Sequence, residues 1–286
     1  MLLTEEQRLV QDMARDFARE QLAPFAAERD RSAEVPRAAL AQMGALGLMG
    51  MCVPEAWGGA GTDFLSYVLA LEEIAAADGA VSTSMSVNNS PYCAALLKYG
   101  SDAQKQRFLV PVASGRILGA FCLTEPGAGS DASALATRAR AEGDGWRISG
   151  VKQFVTMGST AGAALIFATT DPAAGKRGIS CFVTETSAPG YRVGRIENKL
   201  GQRASDTCQI ALNDVRVPVE NRLGPEGAGY RIALSNLQGG RIGIASQALG
   251  IGRAACEAAL SYARERVVFG KPIIEFQLTR AKLARM

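Results

Sequence analysis

Twice along its length the chain changes the spacing of its apolar residues, and that alternation limits the folds open to it. Up to about residue 116 the spacing is helical: Val10, Met13, Ala14 and Phe17 share one face, and Tyr67, Val68, Leu71 and Ile74 share another. From Ile117 to about Asn221 the apolar runs are short or alternating: "ILGAFCLT", "GWRISGVKQFVT", "AALIFATT", "GISCFVTE", "YRVGRI" and "CQIALNDVRV". Gly, Asp, Asn and Pro separate them, which is the pattern of strands and turns. From Gly229 helical spacing returns through Ile232, Leu234, Leu237, Ile242, Ile244, Leu249 and Ile251, to about Arg266. Blocks of helices and a block of strands do not make the regular strand-helix alternation of a doubly wound sheet. The expected fold is multidomain α+β. An N-terminal helical domain spans 1–116, a central β-barrel or sandwich domain spans 117–222, and an incomplete C-terminal helical bundle starts at 223–286.

Local signals fill in this outline. Thr4 with Gln7, and Ser101 with Gln104, fit capping boxes. Pro24 suggests a break, and Pro36 suits the first turn of a helix carrying Leu40 and Met43. Pro54 to Asp63 reads as a glycine-rich loop, and Val81 to Tyr99 as one helix closed by Gly100. "EGDGW", Glu142 to Trp146, reads as a hairpin turn. The helix from Gly229 is nearly uncharged and apolar on several sides, so neighbours are expected to bury it. Arg241 within it would then need a carboxylate partner or a ligand. A further helix is expected from near Ile274, with no stop signal before Met286.

Charge and residue usage narrow the chemistry. Thirty-one basic and 28 acidic residues are dispersed and leave a net charge of +3, which gives no reason to expect nucleic acid as a partner. No apolar run reaches the ~18 residues of a membrane span. The start, "MLLTEEQRLVQ", turns charged at once and does not read as a secretory leader. The six cysteines form no CxxC pair; they read as reduced thiols, mostly in the core, in a cytoplasmic protein. There is no histidine. That removes Ser-His-Asp and Cys-His nucleophile schemes and histidine-based metal sites, and no metal is expected. Acid-base chemistry falls to Asp, Glu, Lys, Tyr or Cys.

"CLTEPGAGSD", Cys122 to Asp131, follows an apolar run and crowds Pro126, Gly127 and Gly129 into four residues. Closely spaced glycines either turn a strand or let backbone N–H groups cradle an anion. No Gly-Lys-Ser/Thr follows, and Ala132 stands where GxGxxG needs its third glycine. Composition alone leaves both readings open.

The longer string "AFCLTEPGAGSDASALATRA" resembles the signature of the acyl-CoA dehydrogenase family. The resemblance continues through "GVKQFVTMGSTAG", "KLGQRASDTCQIALNDVRVP", "LQGGRIGIASQALGIG" and "RERVVFGKPIIEFQ", and so covers nearly the whole chain. It implies FAD as cofactor, with the strand and loop Phe121, Cys122, Leu123, Thr124, Gly129 and Ser130 against the flavin ring. Ser130 also matches a position that contacts acyl-CoA. Phe154, Val155 and Thr156 match a second flavin-contacting strand, where Phe154 replaces the commoner tryptophan. Arg266, Phe269 and Gln277 match a segment that reaches a neighbouring subunit's FAD, with Arg266 on the pyrophosphate. That match implies a homo-oligomer, a dimer or a tetramer. Arg241 matches a position near bound substrate, and Gln238 stands where an acidic residue is frequent.

The implied reaction is oxidation of a fatty acyl-CoA, with a lean to short or branched chains, to the 2-enoyl-CoA. An electron-transfer flavoprotein takes the electrons. The reaction needs a carboxylate to remove the α-proton. Most members carry that glutamate after the segment of Arg266, and a minority carry it just before Arg241, where this chain has Gly240. Glu125 reads as structural, and Glu72 and Glu73 lie in the helical N-terminal region. No catalytic base is therefore assigned within 1–286, and a glutamate is expected downstream of Met286. A truncated dehydrogenase is the leading expectation. The alternatives are a flavin monooxygenase or oxidase on the same fold, and a catalytically inactive flavin- or acyl-CoA-binding scaffold.

Overall fold

The computed structural model describes residues 2–286. Helix α1 (Glu5–Phe17) opens on the expected capping box. The Thr4 hydroxyl accepts the Gln7 N–H at 3.2 Å, and Gln7 Oε1 accepts the Thr4 N–H at 3.0 Å. Near Pro24 the helix loosens into a π-turn (Ala18–Leu22) and a 3-10 turn (Ala23–Phe25) before α2 (Ala26–Ser32). Helix α3 (Arg37–Ala45) buries Leu40 and Met43, and α4 (Phe64–Ala77) buries Tyr67, Leu71 and Ile74.

The single helix expected over Val81 to Tyr99 is instead broken in two. Helix α5 (Gly79–Val87) ends in a wide turn, Asn88–Cys93, before α6 (Ala94–Tyr99) resumes. Ser90 leaves helical space (φ −144°, ψ 114°) ahead of Pro91, because proline disfavours a helical residue before it. Two buried asparagines take over the hydrogen bonding. Asn88 donates to the Met49 carbonyl at 2.8 Å and accepts the Gly119 N–H at 3.0 Å. Asn89 donates to the Leu48 carbonyl at 2.8 Å and accepts the Met51 N–H at 2.7 Å. Helix α7 (Asp102–Gln104), on its Ser101 capping box, and α8 (Val110–Ala113) complete the N-terminal region.

The middle region is strand-rich, as expected. Its strands are β1 (Gly119–Cys122), β2 (Arg138–Glu142), β3 (Gly145–Thr156), β4 (Ala163–Thr169), β5 (Ile179–Glu185), β6 (Tyr191–Ile196), β7 (Thr207–Pro218) and β8 (Arg222–Leu223). They form one sheet of order β6-β7-β3-β2-β4-β5-β8, with β1 parallel to β4. The β2–β3 hairpin turns on Gly143 and Asp144, with Gly143 at φ 60°. Only the pair Arg138–Thr169 joins β2 to β4, so the sheet divides there into two halves. These face each other: Trp146 of β3 sets its ring against Phe182 of β5 at 5.4 Å.

The turn after α5 packs directly on this sheet. A Cβ on Gly119 would lie 2.4–2.6 Å from three atoms of the buried Tyr92 ring. Gly119→Ala is therefore expected to cost about 2 kcal/mol by overpacking, read as a lowered midpoint in urea. An unchanged midpoint would mean that the contact yields freely.

Helix α9 (Gly229–Glu265) runs about 55 Å. It is not buried all round: Ile242, Ile244 and Leu249 are half-exposed or more. The buried stripe holds small and polar residues instead, including Gly243, Ser246, Gln247 and Gly250. The reason is close approach to α4. A Cβ on Gly243 would meet the Tyr67 hydroxyl at 2.9 Å, and one on Gly250 would meet the Glu72 carbonyl at 2.3 Å. Gln247 ties α9 to α5 through bonds to the Gly79 carbonyl and the Ser82 hydroxyl. After α9 come a short hairpin of β9 (Val267–Val268) and β10 (Lys271–Pro272), a 3-10 turn (Ile273–Glu275), and α10 (Gln277–Arg285). The last helix thus begins three residues later than expected. Among the described residues no helix is long and apolar enough to cross a membrane. Cys93, Cys122, Cys181 and Cys208 are buried, Cys52 is exposed, and Cys256 is half-buried.

Candidate functional site

The broken helix, the sheet and α9 meet around a cavity of about 460 Å³. Ser86, Val87, Ser90 and Pro91 come from α5 and the turn after it. Phe121, Phe154 and Thr156 come from β1 and β3, and Leu237, Gly240, Arg241 and Ile244 from α9. The lining is chiefly apolar, and a single guanidinium supplies its charge.

Phe154 is the most unusual residue there. It is 62% exposed, and its backbone lies at φ 55°, a left-handed conformation that non-glycine residues seldom adopt. The register of β3 against β7 shifts between Lys152 and Val155. Such a bulge re-aims the side chains that follow it. Backbone strain of this kind gathers where a ligand is held. Opposite, Phe121 packs its ring against Phe167 at 4.8 Å.

The loop after β1 is anchored from beneath. Lys152 is fully buried, and its ammonium donates to the Leu123 carbonyl (3.2 Å), Glu125 Oε1 (2.7 Å) and the Phe167 carbonyl (2.6 Å). Glu125 also accepts the N–H groups of Ala136 and Thr137 at 2.6 and 3.1 Å. Burial pushes the Glu125 carboxyl up, but Lys152 and these N–H groups hold it below its ordinary value. Glu125 is thus structural, as expected from sequence. Above the anchor, Gly129 and Ser130 are exposed, and a Cβ on Gly127 or Gly129 would meet nothing within 4 Å. The loop's backbone is open to a ligand.

The other residues singled out from sequence are spread more widely. The side chains of Cys122, Leu123 and Val155 are buried, so these residues can meet a ligand only through their backbone. Thr124 is half-buried, and its carbonyl accepts the Gln153 N–H at 2.8 Å. Arg241 is exposed on the cavity wall, which corrects the expectation of a buried arginine; of the two partners expected for it, a carboxylate or a ligand, it finds no carboxylate among the described residues. Gln238 is exposed and does not line the cavity. Arg266 ends α9 about 37 Å along the axis from Arg241. With Phe269 (92% exposed, φ 52°) and Gln277 it faces solvent, remote from the cavity of its own chain.

Sequence reasoning missed the contribution of the N-terminal region, namely Ser86, Val87, Ser90 and Pro91. Its one signal was Pro91 inside an apparent helix. Among the described residues no carboxylate lines the cavity.

The fold is shared with known proteins. The family models for the acyl-CoA dehydrogenase N-terminal, middle and C-terminal domains match residues 4–116, 120–215 and 227–286.

The chain belongs to the acyl-CoA dehydrogenase family.

Among acyl-CoA dehydrogenases, the human mitochondrial short-chain specific enzyme is 45% identical over 284 residues, covering 99% of this chain and 69% of its own length. The butyryl-CoA dehydrogenase structure from Megasphaera elsdenii superposes with a TM-score of 0.96 at 41% identity, over 100% of this chain and 76% of that one. A chain solved in a study of the electron transferring flavoprotein of Acidaminococcus fermentans, directed at flavin-based electron bifurcation, gives 0.98 at 44% identity, over 100% and 75%. The helix-sheet-helix order read from this acyl-CoA dehydrogenase sequence is thus the order of the solved relatives.

Proposed function

We propose that this chain carries the flavin- and acyl-binding part of an FAD-dependent dehydrogenase that converts a short or branched fatty acyl-CoA to the 2-enoyl-CoA. An electron-transfer flavoprotein is the proposed electron acceptor. The observation that carries this reading is the convergence of strained, exposed Phe154, Phe121 and Arg241 on one apolar cavity. The likeness to short-chain and butyryl-CoA dehydrogenases supports the chain-length lean. A cytoplasmic setting belongs to the same proposal.

FAD, when bound, supplies the two-electron acceptor for the β-hydrogen. The residues present suit it, because the open loop backbone at Gly127 and Gly129 and the exposed Phe154 ring leave room for a flat aromatic group. In this proposal Phe121, Thr124, Gly129 and Ser130, with the backbone of Cys122 and Leu123, line one side of the flavin. Phe154 and Thr156, with the backbone of Val155, line the other. Arg266, Phe269 and Gln277 serve the FAD of a second subunit, where the Arg266 fork suits the pyrophosphate oxygens. Their distance from their own chain's cavity supports a homo-oligomer, dimer or tetramer. Leu237, Ile244, Val87 and Pro91 keep water from the acyl chain, which strengthens polar interactions at the thioester. Arg241, with Ser130 and Gln238, orients the acyl-CoA. No proton-abstracting carboxylate is assigned among the described residues, because none lines the cavity. A catalytically inactive flavin- and acyl-CoA-binding scaffold is the second reading, favoured by the lack of a lining carboxylate.

Anaerobic titration of the FAD-loaded 286-residue chain with butyryl-CoA tests both readings. The expected result is a shift of the flavin absorption band without bleaching. Loss of all flavin on gel filtration would sink the proposal. Bleaching would instead show that these residues contain a working base.

A further inference from the structure

Lys152 and Glu125 form a charge pair with almost no access to solvent, beneath a loop that is itself exposed. A buried ion pair is weak support for stability, because two apolar side chains of similar size serve as well or better. Its geometry here has a narrower effect. Three acceptors surround the Lys152 ammonium: the Leu123 carbonyl, Glu125 and the Phe167 carbonyl. An ammonium has three N–H groups, and each finds one acceptor. Leu123 and Glu125 open the loop, and Phe167 lies across in β4. At the other end, Glu125 holds the N–H groups of Ala136 and Thr137. Both ends of the segment 123–137 are therefore fixed by one pair. Phe121 stands two residues before Leu123, and Phe154 two residues after Lys152, so the same pair sets the separation of two aromatic walls of the cavity.

We infer that Lys152 and Glu125 are positioning residues that hold the 123–137 loop and the Phe154 bulge in binding geometry before any cofactor arrives. The inference rests on the reading of this loop and bulge as the flavin contact. Neither side chain touches the ligand; both act through the backbone they hold.

The double variant E125Q/K152M removes both charges at nearly constant volume, so no lone charge is left buried. It is expected to keep its circular-dichroism spectrum. FAD binding should weaken roughly tenfold, the scale of one good supporting hydrogen bond, and the bound flavin's absorption maximum should shift. A folded double variant with parental FAD affinity and parental flavin spectrum overturns the inference. Amide hydrogen exchange on the unaltered chain without FAD gives a second test that needs no variant. The N–H groups of Ala136, Thr137 and Gln153 are expected to be protected already, with little change when FAD is added. Rapid exchange that slows only with FAD would show that the cofactor orders the loop, and would overturn the inference. An unaltered chain that binds no FAD counts against the proposed function instead, and leaves the exchange result standing.

Discussion

Gly240→Glu is expected to give the FAD-loaded 286-residue chain a flavin bleaching step with butyryl-CoA that the parent lacks. The position lies on the cavity wall beside Arg241, and a Cβ there would meet nothing within 4 Å. A carboxylate can therefore enter without displacing a neighbour. Because no lining residue is acidic, the parent has no side chain there to take the α-proton. A positioned general base contributes about 10²–10⁴-fold, enough to bring bleaching into the stopped-flow range in the variant. Gly240→Gln, equal in size and unable to take the proton, should show no bleaching, like the parent. If the glutamate variant binds FAD and butyryl-CoA as the parent does yet bleaches no faster, the assignment of this cavity to the acyl group is wrong.

Glu73→Leu is expected to be the most destabilising of the substitutions considered, by about 3 kcal/mol. Glu73 is 4% exposed on α4 and accepts from Gln11 (2.9 Å) and Arg15 (3.0 Å) of α1 and from Arg253 (2.7 Å) of α9. One carboxylate thus joins three helices. Its loss leaves Arg15 with Asp12 at 2.6 Å and Arg253 with Glu72 at 3.1 Å, so the figure sits at the low end for a broken buried pair. Urea unfolding of the variant should show a lower midpoint with an unchanged slope. A midpoint within about 0.5 kcal/mol of the parent, the scale of an ordinary surface change, would refute the role.

The pH dependence has a definite sign. Burial pushes the Glu73 carboxyl up, but Arg15 and Arg253 outweigh it and hold it below its ordinary value. Its contribution is therefore present above the unfolded glutamate value, about 4.3, and is lost as pH falls through the lower folded value. Glu125 shifts the same way. The parent should lose stability on acidification in that window, and Glu73→Leu should lose less of it.

What could be read from the sequence was what short stretches decide by themselves. The capping boxes at Thr4 and Ser101, the turn at Gly143–Asp144 and the full extent of α9 follow from local spacing and turn chemistry. The cavity was less legible, because four separated segments build it. The break after α5 depends on Asn88 and Asn89 finding carbonyl and N–H partners about 40 residues earlier or about 30 residues ahead. The outward turn of Phe154 depends on a register shift against β7, and one residue of slip changes the face a side chain occupies. The exposure of Arg241 was misread because composition shows that a helix is apolar without showing which stripe meets its partner. Here the glycines meet it and the large residues do not.

That close glycine contact makes α9 a calliper. Gly243 and Gly250 set the distance between α9 and α4, and Gly240, Arg241 and Ile244 sit within a turn of Gly243 on the cavity wall. A methyl group added at Gly243 would have to push the helix outward, and Arg241 would move with it. The bore of the cavity is therefore gauged by residues that never enter it.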